Sequence, residues 1–435
     1  MIDKPPYKVP TMREIAESPK SGYRVASTFS GTGGSCLGYR MAGMSVVWAN
    51  EMEPNAVENY RANNPETVVD TRDIRRIFPD EILKATGLKA GELDLLDGSP
   101  PCQSFSSAGK RERGWGKVMA HGDGTTQVSD DLFFEFARLL KGLQPKVFVA
   151  ENVSGLVKGK AKGYFKLILA ALKAEGYVVA ARVLDAQWLG VPQMRQRVIF
   201  VGVRADLVKK FGVKPEFPSP LPYRYSVAEA MPWVREIQLG DPKHKKKAGS
   251  NWERGKVIPG SSPCPTVKAN SEGISGSSHT VAVVGESDIS RFAIGDEWGK
   301  LKPGEQSKRY FSLVKADPKE PSPTITSSGG SLSLASVVHY AERRKFTIAE
   351  LRRICSFPDD FILSGTYAQQ WARLGNSVPP VMAAAIGKAI VEKILDRVRD
   401  GQDKQASAER ADAKDSGRLA QAGDPPQGRA QKKRR

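Results

Sequence analysis

The chain has 435 residues, of which 40% are hydrophobic and 26% are charged, and its formal net charge is +18. No apolar run is long enough to cross a bilayer, and the first residues lack the features of a secretory signal. The sequence therefore predicts a cytoplasmic protein without a membrane partner, large enough for two or three domains.

The cysteines argue against a metal centre. Cys36, Cys102, Cys264 and Cys355 are far apart in the chain and form no CxxC pair, and the chain has only four histidines. This pattern disfavours a zinc site and a disulfide framework and indicates a reducing compartment. We therefore expect no bound metal.

The positive charge favours a polyanionic partner, for which nucleic acid is the default. The alternative is a basic tail on an unrelated enzyme. Residues 400–435 contain nine basic and six acidic side chains, a net charge of +3, so the rest of the chain carries +15. The positive charge therefore belongs mainly to the folded part.

After an N-terminal extension with one short helix, the first predicted elements are a strand over 23–29, a glycine-rich turn and a helix. The turn contains Ser30, Gly31, Thr32, Gly33 and Gly34. Glycines at the start of a helix let a ligand approach the backbone. Their spacing does not match GxGxxG, so an adenosine-containing cofactor is favoured over a dinucleotide with a pyrophosphate.

Two further strand ends are predicted to carry polar contacts. The second strand ends at Glu51, twenty residues after Gly31, a position suited to binding ribose hydroxyls. The third leads to Asp73 and Ile74, where we expect a contact to a base.

The stretch from Leu93 to Asp97 is predicted to be a short buried strand, ended by Gly98-Ser99-Pro100-Pro101. Because two prolines cannot continue a ladder, the backbone leaves the sheet there and Cys102 follows on a stiff loop. That edge of an open α/β sheet is where such folds collect their chemistry. The local sequence is equally consistent with a nucleophile and with a small buried cysteine.

The polar span over 104–130 is predicted to be a lid or a binding loop, and a helix whose N-cap is Asp131 follows it. The next strand, over 147–150, leads to Glu151, whose carboxyl could donate a proton or simply cap a helix. Arg195 and Arg197 then enter another strand on one side, an arrangement that suits substrate or phosphate contact; the alternative is a solvated edge.

Five strings occur in the order found in DNA (cytosine-5)-methyltransferases, and the chain resembles that family over roughly 23–204 and 340–398. The strings are Phe29-Ser30-Gly31-Thr32-Gly33-Gly34, Pro101-Cys102-Gln103, Glu151-Asn152-Val153, Gln193-Met194-Arg195-Gln196-Arg197 and Gly375-Asn376-Ser377-Val378-Pro379. The resemblance implies an α/β fold: a Rossmann-like S-adenosylmethionine-dependent methyltransferase sheet with helices on both faces, plus a smaller, irregular, β-rich target-recognition domain.

The implied domains follow the same order. They are an N-terminal extension 1–22, the first part of the catalytic domain 23–204, the target-recognition domain 205–340 and a return to the catalytic domain with a closing helix 341–399. The composition of 400–435 predicts a disordered charged tail.

The resemblance also implies the cofactor and the site. The methyl donor would be S-adenosyl-L-methionine, with S-adenosyl-L-homocysteine as product. Cys102 would attack a flipped cytosine, Glu151 would supply a proton, and Arg195 and Arg197 would lie beside them. The implied cofactor contacts are Phe29, Ser30, Gly31, Thr32, Gly33, Gly34, Glu51, Met52, Asp73, Ile74, Gly98, Pro100, Pro101, Asn376, Ser377 and Val378. The implied DNA contacts are Gln103, Ser104, Ser106, Lys110 and Arg111.

The implied partner is double-stranded DNA, methylated by a monomer that belongs to a restriction-modification system with a separate endonuclease or acts as an orphan. Three competing functions remain. The large recognition region argues against an RNA methyltransferase of the same fold, and the presence of Cys102 and Glu151 argues against an inactive homologue. A nicotinamide-dependent oxidoreductase would leave Pro101-Cys102 and Asn376-Ser377 unexplained.

Overall fold

The computed structural model describes residues 4–101, 131–231, 287–405 and 407, and the backbone of 119–120 and 126–127. Within this part of the chain, seven strands form one sheet in the order β3-β2-β1-β4-β7-β10-β8. The strands are β1 Arg24–Thr28, β2 Ser45–Asn50, β3 Val68–Asp70, β4 Leu95–Gly98, β5 Met119–Ala120, β6 Thr126–Gln127, β7 Val147–Val153, β8 Tyr177–Asp185, β9 Gln193–Met194, β10 Gln196–Arg204, β11 Val314–Lys315, β12 Ser322–Pro323 and β13 Val337–Val338.

The first helix precedes these strands, and the others lie between and after them. They are α1 Met12–Glu17, α2 Gly34–Met41, α3 Pro54–Asn63, α4 Pro79–Thr86, α5 Leu132–Leu143, α6 Lys162–Ala174, α7 Ala205–Phe211, α8 Val227–Ala230, α9 Ala293–Trp298, α10 Ile348–Ile354, α11 Tyr367–Asn376 and α12 Pro380–Ile390. A π-type turn over Val391–Leu395 follows α12.

The sheet is mostly parallel. Strands β3, β2, β1, β4 and β7 run in one direction, and β10 pairs antiparallel with β7 and with β8. Side chains alternate between the two faces of each strand, so Val147 and Val149 enter one core while Phe148 and Ala150 enter another. Helices cover both cores, and the α/β prediction is confirmed.

The helix α12 packs very closely on α2. A Cβ atom placed on Gly38 would lie 2.4 Å from Cβ of Ala383 and 2.5 Å from O of Pro380. Only glycine allows this approach, and it brings the segment just before α12 against the first turn of α2. The helix α12 is thereby joined to α2, the helix that follows β1 and the glycine-rich turn.

Three local predictions were wrong. Asp131 precedes α5 but makes no side-chain capping bond; its carboxylate instead forms an ion pair with Arg75, at 2.6 Å. Strand β7 extends to Val153, so Glu151 lies inside the strand rather than after it. The helical conformation continues from 396 to 405, beyond the predicted start of the disordered tail.

The described part of 205–340, the region predicted to recognise the target, builds a small core of its own. Ile289, Ile294, Leu313 and Val338 are buried together, and the strands around them, β11 and β13, are only two residues long. Within the described residues, no helix has the length and apolar character needed to span a bilayer, and no cluster of three or more His, Cys, Asp or Glu could hold a metal ion.

Candidate active site

The register of the sheet brings two loops and one strand residue to the same edge. Thr28 pairs with Gly98, and Gly98 pairs with Ala150. The glycine turn after β1, the Ser99–Pro101 segment after β4 and the Glu151 position on β7 are therefore at the same level on neighbouring strands. This is the edge at which open α/β sheets bind ligands.

The glycine turn has an unusual backbone. Phe29, Gly31 and Gly33 have backbone φ angles of 54°, 55° and 93°, which residues other than glycine rarely adopt. A Cβ on Gly31 would meet nothing within 4 Å, so a ligand can approach the turn there. Among the described residues, the buried Oγ1 of Thr32 has no hydrogen-bond partner.

Glu51 holds this turn from the neighbouring strand. Its carboxylate accepts hydrogen bonds from N of Gly31 (2.8 Å), Met52 (2.9 Å) and Glu53 (2.8 Å). Burial raises the pKa of Glu51 above its ordinary value, against these three backbone hydrogen bonds, which lower it. The acid is therefore placed at the turn, as its sequence position predicts.

The other cofactor candidates after β2 and β3 are more peripheral. The Met52 side chain is exposed, and Ile74 is buried. Asp73 caps a short 3-10 turn by accepting from N of Arg75, and it also pairs with the Arg75 guanidinium at 3.2 Å.

The Asn376-Ser377-Val378 segment reaches the glycine turn from the far end of the chain. A Cβ on Gly34 would lie 2.3 Å from O of Val378, so this glycine is required for the contact. Oγ of Ser377 donates to O of Arg373 at 2.7 Å, and Asn376 is exposed at the surface.

Arg373 continues the same connection. Its guanidinium forms an ion pair with Glu53, the acid whose carboxylate caps α3. The helix α11, which leads into the motif Gly375-Asn376-Ser377-Val378-Pro379, is therefore bound directly to the segment after β2.

The segment that leads to Cys102 is held by its neighbour strand. Nδ2 of Asn152 donates to O of Pro100 at 3.1 Å, and Gly98 is so close to Thr28 and Phe136 that any Cβ there would clash. Cys102 itself and the DNA-contact candidates lie outside the described residues; these candidates are Gln103, Ser104, Ser106, Lys110 and Arg111.

Glu151 and Arg197 form an ion pair on adjacent strands. Nε of Arg197 lies 2.7 Å from Oε1 of Glu151, and both side chains are about 85% buried, with 15% and 13% of their surface exposed. The antiparallel register produces the pair, because Glu151 faces Ile199 and Arg197 faces Val153. A partly buried acid is thereby held beside a permanent cation.

Arg195 is almost fully buried, which excludes the solvated edge for this residue. Its Nη1 donates to O of Ile325 at 3.2 Å, while its Nε has no partner among the described residues. Burial, followed by repulsion from Arg197, lowers the pKa of Arg195 to about 9. Arg195 therefore joins the sheet to the segment between β12 and β13.

Sequence reasoning missed two residues here. Asn152 is part of a motif string but has no predicted role, and Asp97 is predicted only as the last residue of a short buried strand. Asp97 is 2% exposed, and a carboxylate at a fully buried strand position is the signal that could have singled it out.

Comparison with known proteins agrees with this geometry. The family model described as C-5 cytosine-specific DNA methylase matches residues 23–392. The chain belongs to this family. It is a DNA (cytosine-5)-methyltransferase, as the order of its motifs predicts.

Curated relatives of the methyltransferase cover nearly the same span. The Type II methyltransferase M.Sau96I of Staphylococcus aureus is 31% identical over 391 residues, which are 88% of this chain and 80% of the relative. The Type II methyltransferase M.PspPI of Psychrobacter sp. (strain TA137) is 32% identical over 383 residues, with 88% and 82% covered.

A solved structure supports the fold alone. A protein described as a DNA modification methyltransferase encoded within an Escherichia coli prophage superposes with a TM-score of 0.57 at 24% identity, over 86% of the methyltransferase and 99% of that chain.

Proposed function

We propose that this methyltransferase uses S-adenosyl-L-methionine to methylate carbon 5 of a cytosine within a specific duplex DNA sequence, through a covalent bond between Cys102 and carbon 6. The observation that carries the proposal is the Glu151–Arg197 ion pair. Glu151 belongs to β7, which pairs with β4, and it lies at the level where β4 ends and the chain continues towards Cys102.

Carbon 5 of cytosine is a poor nucleophile, so the enzyme must push electrons into the ring. The thiolate of Cys102 would add to carbon 6, which explains why a cysteine rather than a serine is required. Glu151 would give a proton to N3, where negative charge develops, and Arg197 would hold the base carbonyl. Once carbon 5 carries the methyl group, loss of its proton to a base, return of the N3 proton to Glu151 and breakage of the sulfur–carbon bond would restore the ring and the Cys102 thiolate.

The residues around the glycine turn fit the methyl donor. The Glu51 carboxylate and the Thr32 hydroxyl, which has no partner among the described residues, would hold its adenosine part beside Gly31. When bound, S-adenosyl-L-methionine supplies an electrophilic methyl group. The 376–378 segment would close the same pocket from the other side.

The target base is inaccessible inside a duplex, so it would be flipped into this pocket at a cost of a few kcal/mol. We propose that the 104–130 loop offsets this cost through phosphate contacts and excludes water. The 205–340 region would read the target sequence through base and phosphate contacts, while 23–204 and 341–399 carry the chemistry.

We propose that the enzyme acts as a cytoplasmic monomer that protects DNA within a restriction-modification system, beside a separate endonuclease. The names of the Type II relatives support this context.

Transfer of tritium from labelled S-adenosyl-L-methionine tests the proposal. We expect label in duplex DNA, recovered as 5-methylcytosine after hydrolysis, and none in RNA of the same sequence. Labelling of RNA alone, or recovery of the label on an exocyclic nitrogen, would refute it.

Glu51→Ala is expected to weaken S-adenosyl-L-methionine binding about tenfold to a hundredfold, because hydrogen bonds to a charged group are lost. DNA affinity should stay unchanged. The measurement is calorimetric titration with the donor and with an S-adenosylhomocysteine analogue that lacks the ribose hydroxyls. If Glu51 binds the ribose, the substitution should have a smaller effect on the analogue; an equal effect on both would mean that Glu51 only holds the turn.

Phe311→Ala is expected to weaken DNA binding roughly tenfold, because an aromatic ring lost from a nucleic-acid contact costs about 1–3 kcal/mol. Phe311 is 84% exposed, and it follows Tyr310, whose ring lies 5.2 Å from the Arg309 guanidinium. The matched control is Phe78→Ala, which removes a ring that is 58% exposed on the catalytic domain. Fluorescence anisotropy with duplex DNA should separate the two variants; equal affinities would remove Phe311 from the DNA contact.

A further inference from the structure

A buried carboxylate lies directly behind the glycine turn. Asp97 occupies the third position of β4 and is 2% exposed, and within the described residues no Lys or Arg forms an ion pair with it. Burial raises the pKa of Asp97 to about 6. Because an unpaired buried charge is costly, its surroundings must supply other compensation.

That compensation is a set of three hydroxyl groups. Oδ2 of Asp97 accepts from Oγ of Ser27 at 2.9 Å and from Oγ of Ser35 at 2.7 Å, and Oδ1 accepts from the Tyr39 hydroxyl at 2.9 Å. Ser27 belongs to β1, whereas Ser35 and Tyr39 belong to α2. One carboxylate therefore bonds β1 and α2 to β4.

These donors flank the glycine turn on both sides. Ser27 lies two residues before Phe29, and Ser35 directly follows Gly34. Within the turn, Oγ of Ser30 donates to O and Oγ of Ser27, both at 3.1 Å. The entry to the turn, its exit and one residue within it are thus connected to Asp97.

Asp97 is equally close to the other loop of the site. Four residues, Gly98 to Pro101, separate it from Cys102. The same side chain thereby connects the turn that would bind the methyl donor with the strand that leads to the nucleophile.

We propose that Asp97 is a positioning residue for methyl transfer, whose carboxylate holds the glycine turn in place relative to the strand that leads to Cys102. The inference rests on the proposed use of S-adenosyl-L-methionine by this turn.

The groups that face Asp97 determine how it responds to pH. Tyr39 and Cys36 face it from α2, and Glu151 faces it from β7. Burial raises the pKa of Cys36 to about 11 and the pKa of Tyr39 well above its ordinary value, so both stay neutral near pH 7. The charge of Glu151 contributes to the raised pKa of Asp97.

The pKa of Asp97 sets the pH at which the effect occurs, and the three accepted hydrogen bonds set its sign. Above about pH 6 Asp97 is a carboxylate and accepts all three hydrogen bonds; below it, one oxygen carries a proton and an accepted bond is lost. The affinity for S-adenosyl-L-methionine is therefore expected to fall as the pH decreases through 6.

The test compares Asp97→Asn with Asp94→Asn. Asp94 is also buried, at 3% exposed, but it lies before β4 at the opposite end, where it accepts from N of Arg24 and from Nζ of Lys146. Both variants should lower thermal stability. Only Asp97→Asn should raise KM for S-adenosyl-L-methionine, by about tenfold or more, while KM for DNA stays unchanged.

The pH dependence of S-adenosyl-L-methionine binding is a second measurement, which a simple loss of stability would not change. Binding of S-adenosyl-L-methionine is measured by calorimetry on both sides of pH 6 for the wild type and for Asp97→Asn. The wild type should lose more affinity on acidification than the variant. The groups other than Asp97, including Glu51, are the same in both proteins, so the difference between the two profiles isolates Asp97.

The inference is overturned if Asp97→Asn binds the donor with wild-type affinity, or if Asp94→Asn weakens binding equally. Should Asp97→Asn fail to fold, Ser35→Ala removes one hydrogen bond at the start of α2 and should produce the same selective rise in KM; an unchanged KM would overturn the inference. A wild-type enzyme that does not bind S-adenosyl-L-methionine would instead contradict the proposed function.

Discussion

A duplex in which 5-fluorocytosine replaces cytosine is expected to end as a covalent adduct on Cys102 in the presence of S-adenosyl-L-methionine. If the thiolate adds to carbon 6 and the methyl group arrives at carbon 5, the last step must remove the original substituent of carbon 5. Hydrogen leaves as a proton, whereas fluorine cannot leave as a cation, so the sulfur–carbon bond cannot be released.

Full substitution of a long duplex of varied sequence means that the recognition sequence need not be known, because every copy of it in the duplex then carries the trap. The adduct should survive denaturing electrophoresis and map by mass spectrometry to the peptide that contains Cys102. Cys36 and Cys355 serve as internal controls, since both are buried and burial raises the pKa of each thiol to about 11. Cys102→Ser should bind the duplex without forming an adduct, because a hydroxyl is scarcely ionised at neutral pH.

Complete turnover on the fluorinated duplex would refute covalent catalysis. An adduct on Cys36, Cys264 or Cys355 would show that another cysteine is the nucleophile.

Glu151→Gln is expected to slow methyl transfer by about a hundredfold to ten-thousandfold, the usual contribution of a positioned general acid. The amide keeps the shape of the side chain but cannot deliver the proton that N3 needs. Single-turnover transfer of labelled methyl groups measures the chemical step, and formation of the fluorocytosine adduct should slow in parallel.

The control for Glu151→Gln is another buried ion pair. Glu350 lies 2.7 Å from Arg344, and their side chains are 4% and 12% exposed, so Glu350→Gln should cost stability in a similar way. Its folded fraction should retain the wild-type single-turnover rate. Similar losses of rate in both variants would mean that Glu151 acts only through folding.

Much of the fold followed from local sequence pattern. The strand predicted over 23–29 is present as β1, Arg24–Thr28, and the helix predicted after the glycine turn is present as α2, Gly34–Met41. These features depend on propensities, caps and glycines within a few residues, which a sequence displays directly. The order of the motifs was equally visible, and it identified the family before any contact was known.

The relations between those motifs were decided only by tertiary structure. Asp97 and Ser27 are 70 positions apart, and Arg195 reaches O of Ile325 across 130 positions. Hydrogen bonds over such separations depend on strand register and helix packing, which single-residue patterns do not encode. The sequence by itself therefore determined the family and the candidate chemistry. The fold decided that Glu151 forms an ion pair with Arg197 and that Asp97 accepts hydrogen bonds from both sides of the glycine turn. Only packing brings such distant groups within bonding distance.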